Sequence, residues 1–269
     1  MTLALLLADI TNPVVFGVVR GAERAAAAEG YTLVIAESQE SGEAERAAAL
    51  RIASSVDGVI FASSRLDTES LAELARIKPA VLINREAEGI ASVVPDVDTG
   101  VIELVNHLRS LGHLDIGYVT GPTSSWIDRR RWDALQRHGS RVGLRPVEIP
   151  GGNPTVDGGA SAFERVAASR VSAVIAFNDL MAIGLLRAAQ EAGVRVPQQL
   201  SIAGFDDVFG SELTTPAITT IAAPLELAGA QAVDLLLAQI SPELREGRAL
   251  APSSTRLLVR ASTGHLATG

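Results

Sequence analysis

Residues Val171 to Asp207 read VSAVIAFNDLMAIGLLRAAQEAGVRVPQQLSIAGFDD, and their pattern decides the fold. An apolar, β-branched run, Val171 to Ala176, passes through Asn178-Asp179 into a helical pattern. It returns as a second apolar run, Leu200 to Phe205, that ends in Asp206-Asp207. This is a βαβ unit. Continuous rather than alternating hydrophobicity marks strands covered by helices on both faces, which is how a parallel sheet is buried. In an open parallel sheet, ligands bind outside the carboxyl ends of the strands, so Asn178, Asp179, Asp206 and Asp207 are expected on one rim.

Working outward, the same alternation fills the chain. Residues 2 to 8 read as a strand. Val14 to Glu29 has helical spacing and ends at Gly30, and Tyr31 to Ala36, Asp57 to Ala62 and Ala80 to Ile83 are further strands. A short strand near Ser92 to Val94 closes this half. A helix from Asp98 or Thr99 to Leu111 opens a second half of similar layout. Its strands are Asp115 to Thr120, about Pro146 to Ile149, and the two of the opening stretch. After Asp207 come a loop with a strand at Ile218 to Ile221, a long helix from Leu225 to Ile240, and a last strand at Thr255 to Arg260. The expected fold is α/β: two doubly wound parallel-sheet lobes with a ligand cleft between them. Residues 1–94 with 222–252 form one lobe, and 95–221 with 253–269 the other. Crossings near Pro95, Ala222 and Pro252 make such a shape able to hinge.

Composition narrows the function. At 269 residues with 47% hydrophobic residues, the chain can bury a large core. No apolar run is long enough to span a bilayer, and Leu3 to Ala8 lacks the basic flank of a signal peptide, so we expect a cytoplasmic protein with no membrane partner. The absence of cysteine excludes disulfides, thiol nucleophiles and thiolate metal sites. A net charge of -8 repels a phosphate backbone, so this chain alone is not expected to hold DNA.

The chain carries no phosphate-loop, dinucleotide or nucleophile-elbow motif, and its histidines, His107, His113, His138 and His265, lack ligand spacing. They read as surface or cap residues. No catalytic residue, metal site or cofactor is expected, which points to a binder and not an enzyme. Candidate ligand contacts are Asn178 and Asp206 at the strand ends, with helix capping as the plain alternative for Asn178. One arginine of the run Arg129-Arg130-Arg131 joins them, because successive helical positions lie about 100° apart and no more than one faces inward. Trp126 is a stacking candidate, Trp132 reads as core, and Phe16 is either a wall of the cleft or core.

Taken in order, the letters resemble the effector-binding core of LacI-type bacterial transcription regulators, which shares its fold with periplasmic sugar-binding proteins. The matching pieces are Asp9-Ile10-Thr11-Asn12-Pro13, Asp57-Gly58-Val59-Ile60, His107-Leu108 with Leu111-Gly112-His113, and Gly121-Pro122. They continue through Phe177-Asn178-Asp179, Val196-Pro197 and Ser201 to Asp207, then Thr214 to Ile221 and Arg260 with Ser262. The resemblance implies a homodimer and a small, sugar-like effector that changes operator affinity. It implies Arg131, Asn178, Asp206, Phe16 and Asn84 as effector contacts, with Arg85 a weaker candidate. It also implies that operator DNA is bound only through an N-terminal helix-turn-helix domain absent from this chain. Pro154 stands where family members often carry an aromatic residue, and Ala223 where some sugar sensors carry a polar one; both depart from a hexose-type site. The rival readings are a solute-binding protein of a sugar transporter and, further off, a sugar or nucleoside enzyme.

Overall fold

A computed structural model describes residues 1–241 and 253–266. In chain order, β1 (Thr2–Leu7), α1 (Val15–Ala28), β2 (Thr32–Glu37), α2 (Gly42–Ile52), β3 (Gly58–Ala62), α3 (Thr68–Ile77), β4 (Ala80–Ile83) and β5 (Ala91–Val93) alternate as the hydrophobic pattern requires. They build a parallel sheet of order β2-β1-β3-β4-β5. The pattern then repeats with α4 (Val97–Ser110), β6 (Asp115–Val119), α5 (Trp126–Arg141), β7 (Arg145–Ile149), α6 (Val156–Ser169), β8 (Ala173–Ala176), α7 (Asp179–Glu191) and β9 (Ser201–Asp206). A single turn, α8 (Gly210–Leu213), leads to β10 (Thr219–Ala222); α9 (Leu225–Ile240) and β11 (Arg256–Leu258) complete the described elements. The second sheet has the order β11-β10-β9-β8-β6-β7. Apart from β11, an antiparallel edge strand on β10, it repeats the topology of the first.

The elements fall into two compact units, Met1–Pro95 with Ser124–Ile127 and Pro224–Ser253, and Asp96–Thr123 with Asp128–Ala223 and Ser254–Gly269. In the first unit the reason for unbroken apolar strands is visible in β1. Leu3, Leu5 and Leu7 pack with Val18 and Ala22 of α1 and with Ala232 and Leu236 of α9. Ala4 and Leu6 point the other way, toward Ala48 of α2 and Leu71 and Leu74 of α3. Each fully buried leucine contributes about 1.5–3 kcal/mol, and a strand covered on both faces collects this at every residue.

Three local details differ from the sequence reading. Helix α4 is capped by Asp96, whose carboxylate accepts from the backbone N–H groups of Asp98 and Thr99, so neither Asp98 nor Thr99 is the cap. Asp98 is instead drawn to α5, where it meets Arg130, Arg137 and His138 at 3.2, 2.9 and 2.6 Å. The loop expected after Asp207 contains α8, and the last strand is confined to Arg256–Leu258. The crossing expected near Pro252 lies outside the described residues. No helix among the described residues is long and apolar enough to cross a membrane.

Candidate functional site

Strand order in the second unit reverses at β6 and β8, which places its topological switch point at the carboxyl ends of these strands. There the turn after β6 needs Gly121: a Cβ at this position would lie 2.7 Å from the Phe177 ring. The buried Asp128 carboxylate holds that turn by accepting from the Gly121 N–H at 2.9 Å and from the Tyr118 hydroxyl at 2.8 Å. Asp128 sits in the first turn of α5. One helical step onward the three arginines separate as their spacing demands: Arg129 is exposed, Arg130 half-buried and Arg131 buried.

Arg131 is the centre of the constellation. Its guanidinium donates to the Phe177 carbonyl oxygen at the end of β8 and to Asp206 Oδ1 at the end of β9, the latter at 2.6 Å. Its Cζ lies 4.4 Å from the centre of the Phe205 ring and 5.1 Å from that of Phe177, within reach of cation–π attraction. The side chains of Arg131 and Asp206 are only 8% and 10% exposed. Arg131 therefore has a dedicated counterion in Asp206. Its Nε is buried and without a hydrogen-bond partner.

The β9 end is unusual backbone. Asp206 has φ 101° and Asp207 φ 56°, left-handed values that side-chain-bearing residues seldom adopt. Each is tied down by an arginine from elsewhere, Asp206 by Arg131 and Asp207 by Arg260 at 2.6 Å. Behind them Asp179, fully buried, accepts from the Val208 N–H at 2.9 Å and lies 2.6 Å from the Thr220 hydroxyl of β10. Burial, reinforced by the neighbouring Asp206 and Asp207, pushes its carboxyl up to about 8, against the opposing pull of those two hydrogen bonds.

Asn178 takes the role that spacing had left open. It caps α7, accepting from the Met181 N–H at 2.9 Å, and its amide donates to the Pro154 carbonyl oxygen at 2.9 Å. It is buried, so it fixes the Pro154 loop to the same rim as Arg131 and Asp206. Trp132 stacks on Tyr118 with ring centres 5.8 Å apart and is core.

The first unit holds the other candidates at its own strand ends and first helix. Phe16, on α1, is 62% exposed and hence not core. Asn84 follows β4 with φ 57° and donates weakly to Ser63 Oγ at 3.4 Å. Arg85 is buried and its Nε has no partner; burial lowers its pKa, partly countered by Glu45. Trp126 is half-buried as the first residue of α5 and groups with the first unit.

Several residues near these candidates escaped the sequence reading. Asp128 ties back to the turn just before its own helix, while Thr220 and Arg260 act through Asp179 and Asp207, 41 and 53 residues away in the chain, which local spacing does not reveal. Two of the four histidines depart from the expected surface or cap role: His113 is buried against Ser172, Ser201 and the Gly264 carbonyl, and His138 is buried against Asp98, whereas His265 is exposed. Among the described residues no cluster of three or more acidic or histidine side chains is placed to hold a metal ion.

Residues 105–263 match the family model of the periplasmic binding protein-like domain. Over 270 aligned positions the chain is 30% identical to the HTH-type transcriptional repressor CytR of Escherichia coli strain K12, covering 97% of this chain and 79% of that protein. A LacI family regulator from Mycobacterium smegmatis superposes with TM-score 0.86 at 26% identity, covering 98% of this chain and all of that one. One from Enterococcus faecium, solved with bound ribose, gives TM-score 0.85 at 27% identity and covers 99% of this chain. The chain belongs to the LacI family of transcription regulators and corresponds to their effector-binding core.

Proposed function

We propose that this chain senses a small, neutral, hydroxyl-rich metabolite, sugar-like in character, at the carboxyl ends of the second unit's strands. The observation that carries the reading is the Arg131–Asp206 pair at 2.6 Å, held over two aromatic rings at the rim of the sheet. A guanidinium already neutralised by a carboxylate has no unmet charge to offer an anion. It retains N–H groups beyond the two in use, and the carboxylate retains lone pairs, so together they suit hydroxyls that both donate and accept. Each charge-assisted bond to such a ligand contributes about 1.5–3 kcal/mol. Asn178, Phe16, Asn84, Arg85 and Trp126 are the further contacts we propose. The ribose bound to the Enterococcus faecium relative supports a pentose or similar polyol as the first compound to test.

As the core of a regulator, the chain acts as a cytoplasmic homodimer whose DNA-binding domain precedes it, and effector binding changes operator affinity by favouring one arrangement of the protein over another. The alternative, a transporter's solute-binding protein, is separated from this by what the gene encodes upstream of residue 1: a helix-turn-helix or an export signal. A thermal-shift screen of sugars, sugar phosphates, polyols and nucleobases tests the ligand. A compound at a hundred times its dissociation constant stabilises by about 2.7 kcal/mol. Loss of that shift in Asp206→Asn and Arg131→Lys supports the site; an unchanged shift in both removes it.

A further inference from the structure

We propose that Asp179 is a positioning residue for ligand binding: from beneath the turn after β9 its carboxyl group fixes the direction in which Asp206 presents its own. This rests on the reading that Asp206 meets the ligand. An aspartate serving only its own helix would accept from the first N–H groups of α7. Asp179 gives neither oxygen to them that way; its contacts are to the Val208 N–H, two residues beyond Asp206, and to Thr220 on the neighbouring strand. Space for this is made by Gly204, where any Cβ would collide with Asp179 Oδ1. Left-handed backbone at two consecutive side-chain-bearing residues persists only where the surroundings hold it. Here Arg131 holds Asp206, Arg260 holds Asp207, and Asp179 holds Val208.

The protonation state follows from the surroundings. Facing Asp179 from β9 are Asp206 and Asp207, and the cations opposing them are Arg131 from α5 and Arg260 after β11. Helix α6, packed on α7, brings only the exposed Asp157, which pairs with Arg187, and the exposed Glu164 and Arg165. Two cations are thus already matched to two carboxylates, and a third negative charge in a fully buried position goes uncompensated. At neutral pH Asp179 carries its proton, with a folded-state pKa of about 8. Both oxygens accept, Oδ2 from the Val208 N–H and Oδ1 from the Thr220 hydroxyl. Asparagine keeps an oxygen that can accept from Val208 and removes the titratable proton.

The test uses the ligand-free full chain, labelled with nitrogen-15, and follows the Arg131 Nε–H and Val208 amide resonances with pH. The Arg131 signal is assigned by its loss in Arg131→Lys. In the wild type both signals move together in one titration near pH 8; in Asp179→Asn both are flat. In Asp179→Ala the Val208 amide exchanges with solvent roughly tenfold faster or more, because its acceptor is gone. A wild-type titration surviving in Asp179→Asn, flat wild-type signals, or unchanged Val208 protection in the alanine variant overturns the proposal. If the alanine variant does not fold, the asparagine titration decides alone. Failure of every compound in the thermal-shift screen removes the ligand role of Asp206 while leaving this titration readable.

Discussion

Arg131 and Asp206, 75 residues apart in the chain, meet at 2.6 Å with both side chains almost wholly buried. The pair joins α5 to the end of β9, and each partner is what makes the other's burial tolerable. Removing one member of such a pair leaves a buried charge uncompensated, at a cost of about 3–5 kcal/mol. Arg131→Ala and Asp206→Ala are each expected to fall in that range by urea denaturation. The double variant loses less than the sum, because the second substitution removes the orphan left by the first. Strict additivity would show that the pair is a coincidence of placement.

Asp179 makes stability depend on pH in a direction opposite to the usual carboxylate. Its folded pKa of about 8 lies above the ordinary value of 3.8, so between these limits the folded chain binds a proton that the unfolded chain does not. Stability is therefore full below the lower value, falls as pH rises toward the upper one, and levels off above it. Melting the wild type and Asp179→Asn across pH 5 to 9 isolates the contribution: the variant loses the downward slope that Asp179 imposes. Parallel curves would contradict the assignment.

His113 slopes the other way. Burial lowers its pKa from 6.5, outweighing the Gly264 carbonyl that raises it, so the neutral ring is the one that fits. Its stabilisation is present above the unfolded value and is lost as pH falls through the folded one. His113→Ala removes a ring that contacts Ser172, Ser201 and Gly264 and leaves their polar atoms in a cavity, for an expected loss of about 1–3 kcal/mol. Chemical denaturation at pH 7.5 measures that loss, and the difference between wild type and variant narrows at pH 5.

The pattern that made the fold legible is the one β1 displays: unbroken apolar residues from Leu3 to Leu7 because helices cover both faces. Wherever a strand had that character, its place in the chain was readable. The cap of α4 was not, because Asp96, Asp98 and Thr99 are all plausible caps in sequence, and only the pull of Arg130, Arg137 and His138 on Asp98 distinguishes them. Within the candidate site, spacing indicated that one of three arginines turns inward. It did not indicate that Asp206 would neutralise it, since that depends on where two distant elements end. His113 was read as a surface or cap residue for the same reason: its polar partners come from three other parts of the chain. Family resemblance supplied Arg131 where periodicity alone left three choices.

Asn178 has two structural duties, capping α7 and holding the Pro154 loop, and a proposed third in ligand contact. Serine separates them, since its hydroxyl can cap the helix but cannot reach Pro154. Asn178→Ser is expected to cost about 1 kcal/mol or less in stability, whereas Asn178→Ala loses the cap as well and costs about 0.5–2 kcal/mol for that alone. With both variants folded, calorimetric titration with the compounds found by thermal shift reads the third duty. If the amide touches the ligand, serine weakens binding about tenfold or more while melting close to the wild type, a loss equivalent to one hydrogen bond. Binding that follows stability, weak only in the alanine variant, would assign Asn178 to the scaffold and leave recognition in the second unit to Arg131 and Asp206.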